Sequence, residues 1–165
     1  MLFGWPVFAE TKGFGELPEG NLSLYNTHTN EKLDVTYRDS SGNYSETALQ
    51  EMNYFLRCHY TQKEIEMDIR VIEFLNLVHK KVGGNYEIQV ISGYRSSEYN
   101  TLLRREGWGA AKHSLHLSGK AIDFRIPQVG IDKLRETAMN LEYGGVGYYP
   151  KAGFIHLDSG GVRFW

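Results

Sequence analysis

Apolar positions recur with two different periods along the chain. Leu22 and Leu24, then Leu33, Val35 and Tyr37, alternate with polar residues on either side of Thr29-Asn30, which predicts a β-hairpin. Asp39-Ser-Ser-Gly-Asn43 predicts a turn. The period then changes. Behind Ser45 as N-cap, Ala48, Leu49, Met52, Phe55 and Leu56 form one helical stripe, and Ile65, Ile69, Ile72, Leu75 and Val78 form a second, stopped at Gly83-Gly84. Tyr86, Ile88 and Val90 return to alternation and end at Ser92-Gly93. A short helix is expected over residues 97–105, a strand over 120–126, a helix over 131–141, and closing strands over 146–149 and 154–158. No repeat or interdomain linker interrupts this order. It predicts a single α+β domain in which a small, mostly antiparallel sheet is flanked by helices.

Bulk properties narrow the function classes. A chain of 165 residues with 41% hydrophobic and 23% charged positions suits one globular domain with its own core. A formal net charge of -2 carries no nucleic-acid footprint. Cys58 is the only cysteine, so no internal disulfide forms, and its place in a helical stripe makes it structural. Met1–Ala9 is apolar and ends Val7-x-Ala9, the small-residue pattern of a signal-peptidase site, although no positive region precedes it. Residues 1–20 are read as a leader, either the remnant of a secretory signal, the reading favoured here, or simply an apolar start, and residues 21–165 as the folded domain. That reading places the protein in the periplasm or cell envelope. No segment is a membrane span.

The chemistry gathers late in the chain. Ser114-Leu-His116-Leu-Ser-Gly119-Lys-Ala121-Ile-Asp123 is followed downstream by His156-Leu-Asp158. Gly119 suggests a loop feeding a strand in which Ala121, Asp123 and Arg125 share one face, with small Ala121 leaving room beside Asp123. His156 and Asp158 likewise point to one side of the last predicted strand, roughly 7 Å apart along it. Two imidazoles and a carboxylate form a set that Zn²⁺ accepts, and three protein ligands leave a fourth position open. Taken singly, each residue has a plainer reading: a half-buried polar histidine, or an aspartate serving as cap or surface charge. A serine or cysteine hydrolase lacks a nucleophile motif, since no G-x-S-x-G occurs.

The pattern S-x-H-x-x-G-x-A-x-D with a later His resembles the zinc peptidase superfamily of lysostaphin-type enzymes, D-Ala-D-Ala peptidases and the hedgehog domain. Within it the chain is similar to the MepK/YcbK-like branch of bacterial murein endopeptidases. That resemblance rests on Leu22–His28, Leu49–Arg57, Ile91–Ser96, Ser114–Ile126, Gly144–Tyr149, Phe154–Asp158 and Arg163-Phe-Trp165, and covers nearly everything after residue 21. It implies a hedgehog/D-Ala-D-Ala-peptidase-like fold with His116, Asp123 and His156 as zinc ligands. It also implies an arginine, Arg95, facing the scissile carbonyl, where a permanent guanidinium charge suits an oxyanion. Asp158 is expected as the general base, with the alternative that it orients His156. Relatives carry a Glu shortly before the last His, and Lys151–Ile155 holds no acid. His113 stands where the family has Asn, either lining the site mouth or as an exposed change. Ser114 is expected to fix its loop, and Tyr94, Trp108, Tyr148 and Tyr149 either wall a cleft or pack. The implied activity is zinc-dependent hydrolysis of peptidoglycan cross-links containing meso-diaminopimelate, with stem peptides as the binding partners. The alternatives are a D,D-carboxypeptidase and a non-catalytic zinc-containing cell-wall binding module.

Overall fold

A computed structural model describes residues 17–165. Residues 1–16, most of the expected leader, lie outside the described residues. Ahead of residue 21, the carbonyls of Leu17 and Pro18 accept hydrogen bonds from Arg38, and the first described strand starts at Gly20.

Among the described residues, seven strands form one mixed sheet: β1 (Gly20–Asn26), β2 (Lys32–Arg38), β3 (Ile88–Ser92), β4 (Ala121–Arg125), β5 (Gly145–Tyr149), β6 (Phe154–Asp158) and β7 (Arg163–Phe164). Their spatial order is β2-β1-β3-β4-β6-β5-β7. Four neighbouring pairs are antiparallel, while β1 with β3 and β5 with β7 run parallel. The expected hairpin is present, turning through Asn30 at φ 60°. The sheet is larger than expected because β7 is two exposed residues with no apolar alternation to announce it.

The helices are α1 (Glu46–Phe55), α2 (Ile69–Lys81), α3 (Ser97–Arg105) and α4 (Ile131–Leu141). Ser45 caps α1 as expected, its side chain accepting from the Ala48 N–H. α2 starts later than its apolar stripe suggests. Asp68 takes the N-cap and accepts from the Arg70 N–H, so Ile65 packs from an extended segment.

Strand alternation then divides the sheet into two chemistries. Ile122, Phe124, Ile155, Leu157 and Val146 point to the face covered by α2 and α4, where they meet Phe74, Leu75 and Leu134 in one core. Each such side chain contributes roughly 1.5–3 kcal/mol through removal from water. Asp123, His156 and Gly147 take the other face. That face is the floor of a cleft whose wall is α3 and the chain following it.

Candidate metal centre and cleft

His116 sits on a short 3-10 turn, Leu115–Ser118. Ser114 caps this turn, its Oγ accepting the His116 N–H at 3.4 Å, which is the loop-fixing role expected for it. Gly119 ends the turn in the left-handed region at φ 66°, where a Cβ would also meet the Glu66 carbonyl oxygen at 2.8 Å. Glycine is required there for the chain to enter β4.

His116 is buried, and its Nδ1 lies 2.7 Å from the Gly93 carbonyl oxygen. A carbonyl only accepts, so the proton is on Nδ1 and Nε2 is bare. That Nε2 stands 3.2 Å from His156 Nδ1 and 3.2 Å from Asp123 Oδ1. His156 donates through Nε2 to Asp158 Oδ2 at 3.0 Å, which leaves Nδ1 of the neutral ring bare, 2.7 Å from Asp123 Oδ1. Three acceptor atoms from three separate elements therefore converge, all within 4.8 Å of one another.

Lone pairs held this way repel unless a positive charge sits among them. Ligand atoms around a tetrahedral ion with bonds of roughly 2.0–2.1 Å stand about 3.3–3.4 Å apart. The two 3.2 Å separations at His116 match that spacing, while His156 and Asp123 stand at hydrogen-bond distance. The electrostatics agree. Burial alone would raise the Asp123 carboxyl, but the two imidazoles facing it, with Arg95, hold it well below the usual carboxylate range. Burial pushes the His116 imidazole down. Burial opposes charge on His156 too, yet the Asp123 and Asp158 carboxylates at its two ring nitrogens outweigh this and raise it. The donor set fits a metal ion.

Arg95, expected to face the scissile carbonyl, lies beside Asp123. Its Nε donates to Ser92 Oγ at 2.9 Å and one terminal nitrogen donates to Asp123 Oδ2. Its guanidinium lines the cleft.

Asp158 requires a correction. It is fully buried, and both oxygens are engaged: Oδ1 by the Gly160 N–H at 2.8 Å and Arg163 at 3.0 Å, Oδ2 by His156 and by Arg163 at 2.6 Å. It stands at the far nitrogen of His156 and does not line the cleft. A general base must reach the proton it removes. Its contact with His156 Nε2 is the geometry that the alternative expectation, a carboxylate orienting His156, calls for. The room beside small Ala121 also serves Asp158, which lies directly opposite it in register, as does Gly145 from β5.

Strand register lines up the floor of the cleft. Ser92 pairs with Asp123, Asp123 with His156, and His156 with Gly147. Trp165, just past β7, continues the row beside Gly147. With strands about 4.8 Å apart, this row spans about 19 Å across the sheet. The cleft above it has a volume of about 990 Å³ and continues past the His-Asp-His group in both directions, to His28 and Tyr99 on one side and to Tyr149, Phe154 and Trp165 on the other.

Among the expected aromatics, Trp108 and Tyr149 line the cleft, whereas Tyr94 and Tyr148 pack against the core. His113 is exposed on the cleft wall, and Cys58 is buried. Sequence reasoning missed Arg163, Trp165 and His28, which stacks on His59 at 3.8 Å. The glycines at 145 and 147 were the available signal, because glycine inside a strand marks the close approach of another group.

Comparison with known proteins agrees with this geometry. The family model described as peptidoglycan L,D-endopeptidase MepK (Peptidase_M15_2) matches residues 18–165. A probable peptidoglycan L,D-endopeptidase MepK of Haemophilus influenzae is 40% identical over 145 residues, 87% of this chain and 77% of that protein. The peptidoglycan L,D-endopeptidase MepK of Escherichia coli K12 is 36% identical over 144 residues, 87% of this chain and 79% of its own length. With a matched family model over nearly the whole described chain and a cleft built around its His-Asp-His group, the protein belongs to the MepK family of M15 peptidases.

Proposed function

We propose that this chain is a zinc-dependent endopeptidase that hydrolyses meso-diaminopimelate-containing peptide cross-links of peptidoglycan, acting in the periplasm or cell envelope. The observation that carries this reading is the position of His116, Asp123 and His156 midway along a cleft that extends both ways. A cross-link presents a stem peptide on each side of the scissile amide and needs room on each side. A carboxypeptidase needs that room on one side only, so lining residues on both sides of the group favour the endopeptidase. The relatives named above are endopeptidases by name.

In this reading His116 Nε2, His156 Nδ1 and Asp123 Oδ1 hold the ion. Zinc so bound would polarise the scissile carbonyl and lower the pKa of water at its open position. The protein's own groups do the rest. The Gly93 carbonyl and the Asp158 carboxylate fix the two imidazole tautomers, so the bare nitrogens face inward without reorganisation. Arg95 holds the second oxygen of Asp123 and presents positive charge to the cleft, where an oxyanion gains from a fixed guanidinium. The cleft wall also carries the ionisable side chains Glu106 and His113.

The test has two parts. Metal analysis of protein purified without chelator should find about one zinc per chain. Digestion of cross-linked peptidoglycan followed by muropeptide separation should show dimers converted to monomers, with the new termini naming the bond. Zinc-loaded protein that leaves every dimer intact would overturn the reading.

A further inference from the structure

The chain around Trp165 is built with a precision that stability does not require. β7 is exposed along its length, and Trp165 itself is 47% exposed. A strand this short and open contributes little to a core. Yet the indole is held from several directions. Its Nε1–H donates to Tyr149 Oη at 3.0 Å. The Arg163 guanidinium lies over the ring at 5.0 Å. The backbone is clipped on both sides, Trp165 N–H to Val146 O at 3.2 Å and Tyr148 N–H to Trp165 O at 2.9 Å.

Gly147 makes the space for the ring. A Cβ at that position would come within 2.8 Å of two indole carbons. Any other residue in this register position would stand where the indole lies. Because Gly147 is paired with His156, the ring is brought to 5.3 Å from the His156 imidazole and forms a wall of the cleft. A rigid aromatic ring, half-exposed beside the reacting centre, loses little entropy when something packs on it.

Resting on the function proposed above, we propose that Trp165 is a substrate-binding residue: its indole takes the part of the substrate that extends beyond His156, by stacking on a CH-rich surface. Gly147 and Arg163 are positioning residues that act through it. Two parts of a cross-linked muropeptide offer such a surface: the aliphatic stem of a diamino acid residue, and the apolar face of a pyranose ring. The chemistry is shared, so substrates with and without the disaccharide tell the sources apart.

The experiment compares wild type, Trp165→Ala, Trp165→Phe, Gly147→Ala and the Trp165→Ala/Gly147→Ala double variant, all zinc-loaded, on cross-linked dimers with the sugars present and with them removed. Wild-type turnover tests the endopeptidase reading by itself, and ratios among variants test Trp165. The expected result for Trp165→Ala is a KM raised about tenfold with zinc retention against a chelator unchanged. Trp165→Phe recovers most of the loss. Gly147→Ala raises KM alone and adds nothing in the double variant, because the ring it displaces is gone. A KM effect on both substrates assigns the aliphatic stem, and an effect confined to the sugar-bearing dimer assigns the pyranose. An unchanged KM on both substrates overturns the proposal. So does a Gly147→Ala effect that persists in full without the indole, or a loss of zinc that accounts for the whole effect.

Discussion

The buried polar clusters around Glu73 and around Asp123 differ in one respect. Around Glu73, a carboxylate is enclosed by donors: Arg38 Nε at 2.8 Å, Tyr44 Oη at 2.9 Å, Tyr37 Oη at 3.0 Å and a second Arg38 nitrogen at 3.2 Å. Both oxygens are satisfied and the pair is closed, with side chains 4% and 2% exposed. Around Asp123 the carboxylate faces two imidazoles whose protons are held elsewhere, by Gly93 and Asp158. The first cluster ties β2 to α2 and the segment before β1. The second has an excess of acceptors at its centre. Burial and charge are therefore poor guides to function by themselves. The balance of donors against acceptors separates a structural fastener from a receptor for a cation.

The contrast should break most sharply at His116. His116→Ala removes one converging nitrogen, and zinc content should fall to near zero with activity down by a thousandfold or more, about 4 kcal/mol of lost stabilisation. The melting transition of the metal-free protein should stay cooperative. A fully active His116→Ala would dissolve the distinction between the clusters. Glu73→Gln is the mirror experiment. It strands Arg38 in the interior, so denaturant unfolding should report a loss of about 3–5 kcal/mol while the folded fraction still takes up zinc normally.

Asp158→Asn is expected to have a smaller effect. It keeps the shape and loses the charge that orients His156, so chelator competition should show zinc held about 10–100-fold more weakly. Activity should recover when zinc is supplied in excess. Activity that stays abolished with zinc fully bound would return Asp158 to the role of base.

The smallest effect lies outside both clusters. Burial, then the charges of His28 and Arg95, lower the His59 imidazole to about 4. Unfolded histidine titrates near 6.5, so between those values the unfolded chain binds more protons. The contribution of His59 is complete above about pH 6.5 and declines as pH falls towards 4. Melting temperatures over that window should drop less steeply in His59→Gln than in wild type.

Much of this was legible in the chain because the informative residues are local. The hairpin, the Ser45 cap and the alternation around Asp123 and His156 depend on neighbours a few positions away. The three converging residues could be named for the same reason: each sits in a short pattern of glycine, small residue and strand. What stayed hidden depends on register. Nothing in His156-Leu-Asp158 says that Asp158 is sealed by Arg163 and Gly160 rather than facing the cleft, since both arrangements share one strand face. β7 was invisible because two exposed residues carry no pattern, and its importance comes from the glycine it packs against in β5.

The pairing of Asp123 with His156 has a consequence for when the protein becomes active. A slip of one residue between β4 and β6 would turn His156 towards the hydrophobic core and bring Ile155 or Leu157 into the cleft. His156 lies 33 residues beyond Asp123 and 40 beyond His116, so no local segment of chain assembles all three. A nascent, mispaired or partly unfolded chain thus holds no hydrolytic centre. For an enzyme that cuts peptidoglycan, completion of the sheet acts as a safety catch, released only when folding has reached its final register.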